Sequence, residues 1–186
     1  MKTIEDYIHV TNHIPVKFCK ELIKECNKKK WKKHQWYSSV RDATYSKKTK
    51  ELDVIFGTPK QQEKITPYLT KALEEYQIKY SWPGTEAHWL SRCSQVRFNK
   101  YEVGTTMRLH YDNIHNIFDG KRRGIPIVSI VGNLNENYEG AEFMLRDQEI
   151  KLKTGDILLF PSGIVYPHKV KETKKGIRYS FVCWAF

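Results

Sequence analysis

From residue 94 onward the chain is a succession of short extended segments cut by turn residues, and this constrains its fold more than any other feature. The candidate strands are Gln95–Tyr101, Met107–Tyr111, Ile125–Leu134, Ala141–Leu145, Glu149–Leu152, Asp156–Phe160, Val165–Val170 and Arg178–Phe186. Eight short strands joined by turns require a closed or two-sheet antiparallel architecture, because an open sheet of such pieces would leave its edges unpaired. The preceding half has a different texture. Pro15 suits a first helical position, and Phe18, Leu22, Ile23 and Cys26 then recur at helical spacing. Pro59 to Tyr80 is the strongest helix, with Ile65, Leu69, Leu73 and Tyr76 along one face and Ser81-Trp82-Pro83-Gly84 as its stop. Trp31 to Tyr45 has no clean period and reads as strand and loop. The expected class is therefore α+β: a double-stranded β-helix (jelly-roll) core with N-terminal helices packed on one sheet. With 186 residues and no repeat or linker, one domain is expected, residues 1–93 forming a helical and strand support region and 94–186 the core.

Composition removes several function classes. An apolar content of 40% with 13% aromatics belongs to a folded chain and not to a disordered one. No apolar run approaches the roughly 20 residues that a membrane helix needs. The charged start, Met1-Lys2-Thr3-Ile4-Glu5-Asp6, lacks the apolar stretch of a signal peptide, so a cytoplasmic location without a membrane partner is expected. Cys19, Cys26, Cys93 and Cys183 form no C-x-x-C pair, and their spacings fit no zinc module. Cys19 and Cys26 are instead expected on one helix face as small buried residues. The net charge of +11 favours acidic partners or nucleic acid at long range. Its runs are mostly lysine, however, and no nucleic-acid motif accompanies them, so a solvated surface is the better reading.

The chemistry concentrates in His110-Tyr111-Asp112, answered downstream by His168 and then Arg178. In an extended stretch alternate residues share a face, so His110 and Asp112 can reach one metal ion while Tyr111 turns away. A histidine from another strand would complete a 2-His-1-carboxylate face. Such a face leaves neighbouring coordination positions open, as non-heme Fe(II) oxygenases require. His115 lies beyond the ligand face, and His9, His13, His34 and His88 have no motif around them.

Further blocks extend this pattern in a fixed order. Tyr101-Glu102-Val103-Gly104 precedes His110-Tyr111-Asp112-Asn113, and Leu134-Asn135 and Tyr138-Glu139-Gly140-Ala141-Glu142-Phe143 follow. Then come Lys153-Thr154-Gly155-Asp156-Ile157-Leu158-Leu159-Phe160, His168-Lys169-Val170, Gly176-Ile177-Arg178-Tyr179-Ser180 and Trp184. Through these pieces residues 94–186 resemble the catalytic core of the prolyl 4-hydroxylase-type 2-oxoglutarate- and Fe(II)-dependent dioxygenases. The resemblance implies His110, Asp112 and His168 as iron ligands, and Arg178 as anchor for the distal carboxylate of 2-oxoglutarate. It implies Tyr101, Ser129 and Ser180 as further contacts to that cosubstrate, with Trp184 on the substrate side. Where many prolyl hydroxylases place lysine, this chain has Arg178. A planar guanidinium grips a carboxylate with two parallel charge-assisted hydrogen bonds. Gly140-Ala141 stands where relatives often have two glycines.

The activity so implied is hydroxylation of an unactivated C–H, foremost a peptidyl proline, with release of succinate and CO2. Its requirements would be Fe(II), 2-oxoglutarate and, as an accessory reductant, ascorbate. A peptide or protein is the expected substrate, and the aromatic and basic segment Gln35–Glu51 would serve as a lid over it. Two other substrate classes remain open: a free amino acid or small metabolite, and nucleic acid.

Overall fold

A computed structural model of the protein describes residues 2–38, 43–45, 50–81, 90, 92–112 and 126–186. In chain order the elements are β1 (His9–Asn12), α1 (Val16–Cys26), β2 (Lys32–Lys33), β3 (Trp36–Ser38), β4 (Ala43–Tyr45), β5 (Asp53–Phe56) and α2 (Pro59–Tyr80). The second half adds β6 (Arg97–Tyr101), β7 (Met107–His110), β8 (Val128–Asn133), β9 (Tyr138–Gly140), β10 (Phe143–Leu145) and β11 (Gln148–Ile150). It closes with β12 (Asp156–Pro161), β13 (His168–Val170), β14 (Thr173–Gly176) and β15 (Arg178–Ala185).

Two antiparallel sheets carry the architecture. The larger has the order β1-β12-β8-β15-β6-β5-β2, the smaller β11-β10-β13-β7, and ribbons β14-β9 and β3-β4 stand beside them. Each of the eight expected strands is present wherever it falls among the described residues, with ends that coincide or shift by up to three positions. The β9–β14 ribbon was not anticipated. Its four-residue β14 is Thr-Lys-Lys-Gly, and both strands end in a left-handed glycine, Gly140 at φ 77° and Gly176 at φ 72°. No hydrophobic alternation marks it. The first half also gives more than support: β1 pairs with β12, and β5 pairs with β6, so strands before residue 94 extend the larger sheet at both ends.

The period-2 alternation of the large sheet separates two cores. Along β15, Tyr179, Phe181, Cys183 and Ala185 join Ile130, Ile157, Leu159 and Phe98 on the outer face. Cys19, Leu22 and Cys26 of α1 and Ile65, Leu69, Leu73 and Tyr76 of α2 belong to that same apolar cluster. Gly132 is needed there, since a Cβ on it would lie 1.9 Å from the Phe181 ring. α2 is fixed at its start by a capping box between Thr58 and Gln61, with Pro59 at the first position. Burial raises the thiols of Cys19 and Cys26 to about 11, as expected of inert packing residues. The inner face of the sheet carries Leu158, Phe160, Val131, Val182 and Tyr101, which meet Phe143, Leu145 and Val170 of the smaller sheet. This second core is interrupted by polar groups, and there the site lies.

Candidate active site

The elements bring His110, Asp112 and His168 together at one mouth of the barrel. β7 and β13 pair with His110 opposite His168. The strand ends at His110, but Tyr111 still turns outward, 42% exposed, while Asp112 turns inward at 5%. One ligand atom from each of the three residues lies within 4.8 Å of the others. Asp112 Oδ1 is 3.7 Å from His110 Nε2, and Asp112 Oδ2 is 3.7 Å from His168 Nε2. Both imidazoles are oriented alike. His110 Nδ1 lies 2.8 Å from the Arg108 carbonyl and His168 Nδ1 3.2 Å from that of Tyr166. A carbonyl only accepts, so each Nδ1 carries the hydrogen and each Nε2 lone pair faces the cluster.

The surroundings hold the three groups in place. Phe143 stacks on the His168 ring and Phe160 meets it edge-on, at 5.6 and 5.0 Å between centroids. Burial, with His168 beside it, pushes His110 down to about 4, keeping it neutral. Burial alone would raise Asp112, but the two histidines, the Ser129 hydroxyl and the Trp184 indole outweigh it and keep the carboxyl below its ordinary range. Ser129 Oγ donates to Asp112 Oδ2 at 2.6 Å and lies 2.8 Å from Ser162 Oγ.

A second polar group occupies the same interior at the other end of β15. Arg178 is 1% exposed and pairs in register with Tyr101, whose ring centroid lies 5.2 Å from the guanidinium carbon. Nη1 and Nη2 of Arg178 and Oγ of Ser180 are buried without a hydrogen-bond partner among the described residues. Burial raises the Tyr101 phenol above its usual value, so it stays protonated. A cavity of about 180 Å³ is lined by residues that include Arg178, Tyr138, Phe143, Ile150 and Leu152. Gly140 and Ala141 on its wall are both left-handed, at φ 77° and 53°. The second position thus keeps a glycine-like backbone although it carries a side chain.

The expected residues therefore fall into two groups. His110, Asp112, His168 and Trp184 gather at one end, and Arg178, Ser180 and Tyr101 at the other. Ser129 is a correction. Expected at the cosubstrate carboxylate with Arg178, it sits opposite Trp184 in the β8–β15 pairing, six residues along β15 from Arg178, and its hydroxyl is engaged by Asp112. Of the proposed lid, Arg41, Lys47 and Lys48 lie outside the described residues, as do His88 and His115.

Sequence reading placed Trp36 and Tyr45 in the proposed lid but missed the cluster they form with Arg108 beside His110. The Trp36 ring meets His110 and His34 edge-on, at 5.4 and 4.9 Å, and its indole N–H donates to Glu51 Oε1 at 3.0 Å. The Arg108 guanidinium lies 3.7 Å from the Trp36 ring centroid and donates to Tyr45 Oη at 3.1 Å. Arg108 was within reach of the period-2 argument, being two residues before His110. Trp36, Tyr45 and Glu51 meet it only through tertiary pairing.

The donor set suits the groups the sequence implied. Two imidazole nitrogens and one carboxylate oxygen, convergent and largely buried, match a ferrous site with open positions. A buried guanidinium with two nitrogens short of hydrogen-bond partners among the described residues is costly unless an anion completes it, which fits a dicarboxylate cosubstrate. Comparison with known proteins agrees. Residues 96–186 match the family model described as the 2OG-Fe(II) oxygenase superfamily. A PKHD-type hydroxylase of Shewanella baltica is 34% identical over 92 residues, covering 47% of this chain and 40% of that protein. Another, of Aliarcobacter butzleri, is 35% identical over 95 residues, covering 47% and 41%. The match spans about two fifths of the length of these curated relatives. Among solved structures, a Pseudomonas putida prolyl-4-hydroxylase superposes with a TM-score of 0.66 at 20% identity, covering 95% of this chain and 91% of that one. The viral collagen prolyl hydroxylase of Paramecium Bursaria Chlorella virus-1, in its 2OG complex, gives 0.67 at 16% identity, covering 96% and 94%. A Trichoplax adhaerens prolyl hydroxylase bound to a hypoxia inducible factor peptide fragment gives 0.68 at 17%, covering 96% and 83%. The fold is that of the prolyl hydroxylases. Residues 96–186, just under half of the chain, are thus similar to the 2OG-Fe(II) oxygenase superfamily, in a fold shared with prolyl hydroxylases.

Proposed function

We propose that the protein is an Fe(II)- and 2-oxoglutarate-dependent dioxygenase that hydroxylates an unactivated C–H of a peptide, foremost at proline. The observation that carries this reading is the coexistence, in one barrel, of a convergent His110-Asp112-His168 set and a buried arginine with two nitrogens that lack a hydrogen-bond partner among the described residues. When bound, the iron and its cosubstrate supply the oxidising chemistry, with succinate and CO2 as co-products; the protein supplies position and shelter. His110 and His168 would present Nε2 to the metal, each fixed by its Nδ1–H on a backbone carbonyl. Asp112 would bind as carboxylate, with Ser129 holding one oxygen. Arg178 would take the distal carboxylate of 2-oxoglutarate, with Ser180 and Tyr101 beside it. Trp184, which bears on Asp112, would line the substrate side.

The peptide assignment rests on fold likeness and on the Trichoplax neighbour's peptide complex. The test is succinate formation by purified protein with Fe(II), 2-oxoglutarate and O2, with and without a panel of proline-containing peptides, using His168→Ala as control. Peptide-stimulated turnover with a hydroxylated product, lost in the variant, is expected. Slow turnover that no peptide stimulates would redirect the search to small molecules. No turnover and no iron binding would overturn the reading.

A further inference from the structure

The cluster on the metal face carries a statement about substrate charge that rests on the dioxygenase reading and deepens it. Trp36 is held on several sides: its N–H by Glu51, its ring by those of His34 and His110 at near right angles, and one face by Arg108. Stacking on an aromatic face fixes the plane of a guanidinium and leaves its in-plane N–H groups directed outward. One of the five N–H donors of Arg108 goes to Tyr45 Oη, and no carboxylate pairs with Arg108 among the described residues. Arg108 and His110 are two apart on β7 and share a face, so this cation stands two ring contacts from a candidate iron ligand. A second cation, Arg97, acts electrostatically on both His34 and His110 from the inner face of β6. Its guanidinium lies 5.6 Å from the Trp184 ring centroid. The buried His34 is neutral, since burial, Arg97, His110 and Arg108 lower it to about 3, and so it does not add to this positive charge.

We infer that Arg108, presented on Trp36 beside His110, is a specificity-determining residue, and that the substrate is an acidic peptide with a carboxylate close to the hydroxylated residue. An aromatic face with one fixed arginine edge suits a single side-chain carboxylate on a peptide. A phosphodiester chain would instead call for a track of cations along its path. The chain's net charge of +11 adds long-range attraction for an acidic partner.

The test uses matched proline-containing peptides that carry Asp, Asn or Lys near the proline. Binding to the Fe(II)- and 2-oxoglutarate-loaded protein is followed anaerobically by fluorescence anisotropy, and turnover by KM and kcat. The native protein should prefer Asp over Asn by about tenfold or more, mainly in Kd and KM. Arg108→Gln should abolish that preference, and Arg108→Glu should reverse it toward the lysine peptide, a gain that misfolding cannot produce. Thermal melting of each variant checks the fold. Equal binding of Asp and Asn peptides by the native protein, or a preference surviving Arg108→Gln, would overturn the inference. So would salt-sensitive binding of single-stranded nucleic acid that Arg108→Gln weakens while the Asp preference is absent. Peptide-independent consumption of 2-oxoglutarate by the native protein, measured alongside, reports on the dioxygenase reading separately.

Discussion

The two ends of the barrel interior solve different problems with the same strand. At the Trp184 end of β15, the residues that converge on the metal position are tied to the protein: both imidazoles to backbone carbonyls, and Asp112 to Ser129. At the Arg178 end, two guanidinium nitrogens and the Ser180 hydroxyl are buried with nothing to pair with among the described residues. The first end is held by the fold, and the second offers donors suited to an anion. Rigid ligands favour one metal geometry before any metal arrives. An open cationic end instead couples binding of the cosubstrate to relief of a desolvated charge.

The largest effect should come from breaking the end that the fold holds. His168→Ala removes one of three ligands, and we expect loss of measurable Fe(II) binding and of turnover, read by metal analysis and succinate release. At the open end, Arg178→Met should raise the Kd for 2-oxoglutarate on the order of a hundredfold, from the loss of two charge-assisted hydrogen bonds. The same variant should be no less stable than the native protein in the absence of ligand, because it deletes a buried charge with two nitrogens that lack hydrogen-bond partners among the described residues. Thermal melting with and without 2-oxoglutarate reads both effects. A marked destabilisation of ligand-free Arg178→Met would mean that this end is structural and would break the comparison. Ser129→Ala should weaken Fe(II) binding by about tenfold while leaving 2-oxoglutarate contacts at Arg178 intact. The reverse outcome would restore Ser129 to the cosubstrate end.

The smallest effect concerns pH. An unfolded chain takes up protons on His34 and His110 near 6.5, whereas the folded chain does so only at about 3 and about 4. Between those limits the unfolded state holds more protons. The stability of the metal-free protein should therefore be complete above about pH 6.5 and decline as pH falls toward 4. Melting temperatures from pH 7.5 to 4 check this, and His34→Gln should make the decline shallower.

Much of this arrangement was legible in the sequence because it depends on short-range periodicity. The helix Pro59–Tyr80 and the inward alternation of Arg178, Ser180, Val182 and Trp184 follow from spacing alone. So does the pairing of directions at His110 and Asp112. Other features were hidden for physical reasons. β1 has only four residues with alternate ones half exposed, so it gives no apolar signal until β12 is there to pair with it. Ser129 resembles a cosubstrate contact by position in the motif order, yet its place opposite Trp184 is set by the β8–β15 register, which no local pattern encodes. The Trp36–Glu51–Arg108 cluster draws on three separated segments, and only the tertiary fold makes them neighbours.

The most direct test of the account is anaerobic calorimetry of 2-oxoglutarate binding to the native protein, His168→Ala and Arg178→Met, each with and without Fe(II). The account predicts tight binding only for the native protein with Fe(II), and weakening by loss of either end. No binding to the Fe(II)-loaded native protein, or binding that neither substitution weakens, would contradict it.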